Sequence, residues 1–295
     1  MRDRTAVLAT LALLALAACW GSTFFMIRDL LDRVPTLDFL AVRFTIAGLA
    51  LLAVAPGAVR RLSSQALRRS VLLGLLYGVA QILQTAGLAH TPATVSGFVT
   101  GTYVVLTPLL AAPLLRVRIG RVTWAAVVVA LVGLGVLTLQ GVSVGVGEAM
   151  TLGAALLYAL HIVGLGAWSR PADALGSSTV QLLTIAVVCL LFTAPDGLVL
   201  PHRGGDWLAV VYMAVVVGAL GLLCQTWAQA HLAPTPAALA MSMEPVFAAL
   251  FAVLFGGEQA TLRLVVGGLL VLAAMLLVEL VPRRKVEAEV LHPSV

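Results

Sequence analysis

Apolar stretches of about 20 residues recur along the whole chain, and they limit its fold more than any other feature. A helix needs about 20 mainly apolar residues to cross the roughly 30 Å of hydrocarbon in a bilayer. Hydrophobic residue types make up 61% of the 295 residues and charged types only 11%. A soluble core of this size could not bury so much apolar surface. The sequence therefore predicts an all-α integral membrane protein.

Ten transmembrane helices account for these stretches, with short connectors rich in glycine and proline between them. The predicted spans are 5–27, 38–56, 70–89, 93–115, 121–140, 148–168, 178–195, 207–229, 235–256 and 261–281. None of the connectors is long enough to form a second domain. Because the number of spans is even, both termini are expected on the same side of the membrane.

Basic residues mark which side that is. The connectors that share a side with the termini hold most of them: Arg2, Arg4, Arg60, Arg61, Arg68, Arg69, Arg116, Arg118, Arg121, Arg170, Arg283, Arg284 and Lys285. The opposite connectors hold only Arg28, Arg33, Arg203 and Arg263. Since cytoplasmic loops carry the excess of Lys and Arg, both termini are predicted to be cytoplasmic.

The two halves of the chain resemble each other. Gln84-Thr85 is followed by His90 and Pro92, and Gln225-Thr226 is followed by His231 and Pro234 at similar spacing. Five spans per half is an odd number, so two copies of the unit must enter the membrane from opposite sides. The prediction is an inverted 5+5 repeat with halves 1–141 and 142–282 and a short cytoplasmic tail, 283–295.

Polar side chains recur at helical spacing inside several spans, and they are the candidates for a substrate path. An unpaired amide in hydrocarbon is costly, so such stripes face protein or water. The alternative is close helix packing, which also uses small and hydroxyl residues. The predicted path residues are Tyr77, Gln81, Gln84, Tyr103, Tyr158, His161, Gln225 and Trp227.

Ionisable residues within spans are functional candidates by default. Glu244 precedes Pro245, and we interpret it first as pairing with polar groups at a kink, with substrate contact as the alternative. His161 either carries a proton in a coupled cycle or is a neutral group in the wall. Arg43 either extends to the interface, pairs with Asp38 or Asp29, or binds a substrate carboxylate.

Several motifs resemble the EamA-type branch of the drug/metabolite transporter superfamily. They are Trp20-Gly21-Ser22-Thr23-Phe24, Arg43-Phe44, the stretch 97–108, and Glu244-Pro245-Val246-Phe247 with Gly257-Glu258. The first half departs from the family pattern, because Leu115-Arg116-Val117-Arg118 stands where a Glu is often found. The resemblance implies a secondary transporter of the bacterial cytoplasmic (inner) membrane, commonly an exporter of small metabolites. Amino acids are the best-known substrates of this branch, and Trp20, Arg43 and Glu244 become structural or coupling candidates.

Other classes of function find little support. Cys19, Cys189 and Cys224 lie in apolar runs without metal-ligand spacing, so we expect neither a metal nor a cofactor. The basic residues form short clusters and not one basic face, which argues against nucleic-acid binding. Amino-acid export by alternating access is the first hypothesis. Export of drugs or other metabolites, or import by the same fold, is the alternative, and an intramembrane enzyme is a weaker one. Transport direction, proton coupling and the choice between monomer and homodimer stay open.

Overall fold

The computed structural model describes residues 2–91, 93–116, 118–138, 145–193, 197–255 and 261–280. Within these ranges the chain is helical and contains no strand. The helices are α1 (Arg2–Gly21), α2 (Thr23–Leu31), α3 (Thr36–Val54), α4 (Ser64–Leu88), α5 (Ala93–Gly101), α6 (Tyr103–Leu115), α7 (Arg121–Thr138), α8 (Val146–Trp168), α9 (Ala174–Thr193), α10 (Gly204–Tyr212), α11 (Gly221–Gln229), α12 (Pro234–Met241), α13 (Glu244–Phe255) and α14 (Leu262–Leu280). A π-helical segment, Met213–Leu220, joins α10 to α11.

Seven helical stretches in the described part of the chain are long and apolar enough to cross a bilayer. They are Arg4–Leu31, Thr36–Val54, Ser64–Leu88, Val146–Trp168, Pro171–Thr193, Gly204–Gln229 and Pro234–Phe255. The other three predicted spans fall on shorter apolar stretches, Val99–Leu115, Arg121–Gly133 and Val265–Ala274. The protein is therefore a multi-pass membrane protein. Pro92, Gly257, Glu258, the predicted tail 283–295 and the last residues of four predicted spans lie outside the described residues.

The distribution of side chains is the reverse of that in a soluble protein. Large apolar side chains are exposed on the outside, including Val54, Leu208 and Leu262, at 77%, 73% and 79%. Polar side chains such as Gln181 and Thr107 are fully buried among the helices. Lipid can cover an apolar surface, whereas polar groups must find partners inside the protein.

Three of the spans are interrupted, between α1 and α2, α5 and α6, and α12 and α13. At each break a hydroxyl donates a hydrogen bond to the carbonyl three residues earlier: Ser22 to Cys19 (2.7 Å), Thr102 to Val99 (2.6 Å) and Ser242 to Leu239 (2.7 Å). Such local bonds compete with the regular helical ladder.

A close helix contact accompanies the first of these breaks. A Cβ atom on Gly21 would lie 2.7 Å from the backbone nitrogen of Ala248 and 2.9 Å from the carbonyl oxygen of Glu244. Only glycine therefore allows the end of α1 to approach the start of α13 so closely. This contact brings the break in the first span beside the break at Ser242 and Met243.

Candidate functional site

A cavity of about 50 Å³ lies among the broken spans. Its walls come from α1, α2, α3, α4, α5, α6, α8, α11, α12 and α13, so both halves of the chain contribute. All but one of the predicted path, structural and coupling residues line it: Trp20, Arg43, Tyr77, Gln81, Gln84, Tyr103, Tyr158, His161, Gln225 and Glu244. The predicted stripes on separate helices thus meet at one place.

A chain of hydrogen bonds orders the polar wall of the cavity. The Gln81 amide donates to the Tyr158 hydroxyl at 2.7 Å, and that hydroxyl donates to the Gln84 carbonyl oxygen at 2.7 Å. The Gln84 amide donates to the Thr100 hydroxyl at 3.0 Å, which in turn donates to the carbonyl of Ser96 at 2.8 Å. Tyr158 therefore fixes the orientation of both glutamine side chains on α4.

Aromatic rings form a second part of the wall. The ring of Tyr77 stacks on the imidazole of His161, with centroids 5.0 Å apart, and lies 5.8 Å from the ring of Tyr158. His161 Nε2 lies 2.8 Å from the side-chain oxygen of Gln181, deep in the protein. The imidazole is thus held from both sides, by a ring and by an amide.

Arg43 is 3% exposed and carries its guanidinium into the cavity wall. Its Nε donates to the carbonyl oxygen of Met213 at 3.2 Å, and the guanidinium lies over the rings of Phe39 and Phe44. The suggested pairing with Asp29 or Asp38 is wrong, since Asp29 pairs with Arg33 and no ion pair joins Arg43 to Asp38. The suggested extension to the interface is also wrong, because the side chain is buried.

Glu244 begins α13 at the break in the ninth predicted span and is 6% exposed. The polar partners expected at this kink are not found in the described part of the chain, where its carboxyl makes neither a hydrogen bond nor an ion pair. Arg43 and Glu244 line the same cavity without pairing with each other. Besides the imidazole of His161, the cavity therefore carries one guanidinium and one carboxyl side chain, each without an ionic partner among the described residues.

Two further polar atoms near the cavity have no hydrogen-bond partner within the described ranges. They are the hydroxyl of Tyr103 and the side-chain oxygen of Gln225. Buried polar groups are nearly always paired, so each unpaired group calls for a physical reason. A molecule bound in the cavity would supply one, because both residues line it.

Trp227 is the predicted path residue that does not line the cavity. Its ring packs against His231, with centroids 5.0 Å apart, and its carbonyl oxygen lies 2.9 Å from His231 Nδ1. Trp227 is two positions from Gln225, and two helical steps turn the side chain by about 200°. The two residues therefore face opposite sides of α11.

The apolar part of the lining was not predicted as part of the path. It consists of Phe24, Ile27, Leu88, Ile162 and Met241, with the hydroxyls of Thr23 and Thr85 among them. A hydroxyl residue follows a glycine at two of the three breaks, Gly21-Ser22 and Gly101-Thr102, but the same pair at Gly176-Ser177 lies inside the continuous helix α9, so the pattern alone does not locate a break. Discontinuous membrane helices are where binding sites are found in many transporters.

Comparisons with known proteins agree with the geometry. The sequence profile described as EamA-like transporter family matches residues 7–139 and matches again over 145–280. The chain belongs to the EamA-like transporter family. A protein of Archaeoglobus fulgidus named an uncharacterized transporter is 28% identical over 273 residues, covering 92% of this chain and 86% of its own length.

Two more proteins extend these comparisons. The Escherichia coli K12 protein YedA, named an uncharacterized inner membrane transporter, is 26% identical over 255 residues, covering 84% of this chain and 82% of its own length. A protein of known crystal structure, 20% identical, superposes with a TM-score of 0.72 over 92% of this chain and 96% of its own. That likeness concerns the fold alone. The protein is thus a membrane transporter of this family.

Proposed function

We propose that the protein is a secondary transporter that exports small metabolites, amino acids first among them, across the cytoplasmic membrane by alternating access. The observation that carries the proposal is the pair of unpaired ionisable side chains, Arg43 and Glu244, in one cavity. The family resemblance supports export as the direction and amino acids as the substrate class.

A zwitterionic substrate would pair with both charges at once. A guanidinium binds a carboxylate well, and a carboxylate binds an ammonium group. Burying an unpaired charge costs several kcal/mol, which a paired ligand charge offsets in part. Gln84, Gln225 and the hydroxyl of Tyr103 add neutral donors and acceptors, and the rings of Tyr77 and Tyr158 offer an apolar face for a side chain.

We also propose that the chain forms ten spans in an inverted 5+5 repeat, with halves 1–141 and 142–282 and the tail 283–295 in the cytoplasm. The double match of the family profile supports this division. The break after α5 and the break after α12 fall at similar distances from the start of each half, as expected of repeated units. The excess of arginine on the connectors 57–69 and 116–121 supports cytoplasmic termini.

The breaks in the helices around the cavity support a conformational step. The helix breaks at Ser22, Thr102 and Ser242 offer places where half-helices can tilt. Alternating access requires such a movement, because the cavity must open to one face of the membrane at a time.

Transport in proteoliposomes tests this proposal. Purified protein is reconstituted and exposed to a panel of labelled amino acids, with and without a pH gradient. The expected result is flux of at least one amino acid above that of empty liposomes. No flux for any of them, with flux of a lipophilic drug instead, would move the protein to the drug-export alternative. Flux that does not respond to the gradient would exclude proton coupling.

A further inference from the structure

A second polar crevice lies at the ends of α4 and α8 that are remote from Arg43. It has a volume of about 20 Å³ and is lined in part by Arg69, Ser70, Trp168, Ser169, Arg170 and Ser177. The guanidinium of Arg69 stacks over the Trp168 ring at 5.4 Å. The hydroxyl of Ser169 is buried there without a hydrogen-bond partner among the described residues. The proposed orientation places this crevice at the cytoplasmic face.

A continuous line of hydrogen-bonded side chains joins this crevice to the central cavity. His161, which lines the cavity, lies 2.8 Å from the side-chain oxygen of Gln181. The Gln181 amide donates to the hydroxyl of Ser177 at 3.2 Å, and the hydroxyl of Ser70 donates to Ser177 at 2.9 Å. Both serines line the crevice. We call His161, Gln181, Ser177 and Ser70 the seam.

Helix α11 runs beside the seam and joins the same two spaces. Gln225 lines the cavity, whereas the next residue, Thr226, lines the crevice. The hydroxyl of Ser178 donates to that of Thr226 at 3.1 Å, and the Gln229 amide donates to the carbonyl of Ile162 at 2.9 Å. Neutral hydrogen bonds therefore also hold α11 against α8 and α9.

The helices meet closely at the seam. A Cβ atom on Gly74 would lie 2.9 Å from the backbone of Gln181, and one on Gly164 would lie 2.7 Å from the side chain of Leu73. Tightly packed helices thus separate the two spaces. Its polar contacts are neutral, and exchanging a neutral hydrogen bond for bonds to water costs only about 1 kcal/mol.

We propose that the crevice is the second mouth of the transport path, and that the seam is the closed gate between it and the central cavity. This inference rests on the proposed function, because it assumes that the cavity holds the transported metabolite. When the seam parts, the side chains of Gln181, Ser177 and Ser70 line the passage and offer the substrate the same amide and hydroxyl chemistry that it meets in the cavity.

Cysteine accessibility tests the gate without any substrate. Thr85→Cys, in the cavity wall, is introduced into a background in which Cys19, Cys189 and Cys224 are replaced by alanine. A small membrane-impermeant methanethiosulfonate is added to each face of the membrane in turn. Because the seam is closed in this structure, we expect slow reaction from the face of the crevice.

Loosening the seam should make the reaction of the introduced cysteine from the crevice face faster. Gln181→Ala removes the partner of His161 and of Ser177, and the reaction from the crevice face should become about tenfold faster. The matched control is Thr184→Ala, since Thr184 lies one turn away on α9 and bonds only its own helix. Its rate should stay within about twofold. An unchanged rate in Gln181→Ala would overturn the proposal. Ser177→Ala, a smaller change, decides the matter if the first variant does not fold.

A reversible lock gives a second test. The two seam hydroxyls of Ser70 and Ser177 are 2.9 Å apart, close enough for a disulfide after modest adjustment. In Ser70→Cys/Ser177→Cys, oxidation should abolish at least nine-tenths of the flux and reduction should restore it. The flux of each single variant, whatever its size, should be the same with and without oxidant. Full flux with the disulfide formed would refute the gate. If the wild type carries no amino acid, the proposed function fails, and the accessibility rates still decide the gate.

Discussion

The hydroxyl groups of two cavity tyrosines make different contacts, so replacing each tyrosine by phenylalanine should affect stability differently. Tyr158 and Tyr103 are both buried and both line the cavity. The Tyr158 hydroxyl bonds Gln81 and Gln84, whereas the Tyr103 hydroxyl has no partner in the described part of the protein. Replacing each in turn by Phe removes one oxygen atom and leaves the ring in place.

The expected size of the effect follows from these contacts. Tyr158→Phe leaves the Gln81 amide and the Gln84 oxygen without their partner, and each buried unpaired group costs about 1–3 kcal/mol. Because both side chains face a cavity and can turn, we expect a total loss of about 2 kcal/mol. In a protein of this size, 1 kcal/mol shifts Tm by roughly 2 °C. Tyr158→Phe should therefore lower Tm by roughly 4 °C.

Tyr103→Phe should leave Tm unchanged or slightly raised, since it removes a buried hydroxyl that bonds no described residue. Tryptophan fluorescence during heating in one detergent measures both variants beside the wild type. If the Tyr103 hydroxyl contacts substrate, flux should fall in this variant although Tm does not. A larger loss of Tm in Tyr103→Phe than in Tyr158→Phe would refute the assignment of the hydrogen-bond network.

Three further sets of substitutions test other parts of the structure. Arg43→Gln and Glu244→Gln should each lower amino-acid flux in proteoliposomes at least about tenfold, because each removes a charge proposed to bind the substrate. Flux equal to that of the wild type would contradict that role. Gly74→Val should lower Tm, since its Cβ would lie 2.9 Å from Gln181, whereas Gly57→Ala, with open space around it, should not. Arg33→Gln should lower Tm slightly and only at low salt, as seen by heating in 0.05 M and 1 M NaCl.

The ion pairs of Arg33 also predict how the stability of the protein depends on pH. Its guanidinium bridges Asp29 and Asp206, with contacts of 2.6 and 2.7 Å, and these carboxylates raise the pKa of Arg33. A raised pKa in the folded state means that this stabilisation is present at neutral pH and is lost as the pH rises through that pKa. The pairing also needs Asp29 and Asp206 to be charged, so on the acid side the stabilisation is lost as the pH falls far enough to protonate these carboxylates. The difference in Tm between wild type and Arg33→Gln should therefore stay constant from pH 7 to about 10.

The substrate-path stripes could be predicted from sequence because they follow helical geometry. Tyr77, Gln81 and Gln84 lie at positions i, i+4 and i+7, so they share one face of α4, and the structure places all three on the cavity. The same rule excludes Trp227, which lies two positions after Gln225. Helical spacing in the sequence alone could therefore have placed Trp227 outside the predicted path.

Other features depend on contacts between distant parts of the chain. Arg43 bonds the carbonyl of Met213, 170 residues away, at the start of a π-helical segment. No local pattern predicts that pairing, because it depends on how α3 packs against the helix that holds Met213. The close approach of α1 to α13 likewise depends on a distant pair, since the missing Cβ of Gly21 leaves room for the backbone of Glu244 and Ala248.

Flux through two cavity variants and one control variant tests most directly whether substrate passes between the two halves. Gln84→Ala and Gln225→Ala, one on each half of the chain, are compared with Trp227→Ala, which changes the opposite face of α11. All three are checked for folding by size-exclusion chromatography before reconstitution with the best-transported amino acid. The account predicts at least about tenfold lower flux in the two glutamine variants and nearly normal flux in the tryptophan variant. Equal flux in all three would contradict a path through this cavity.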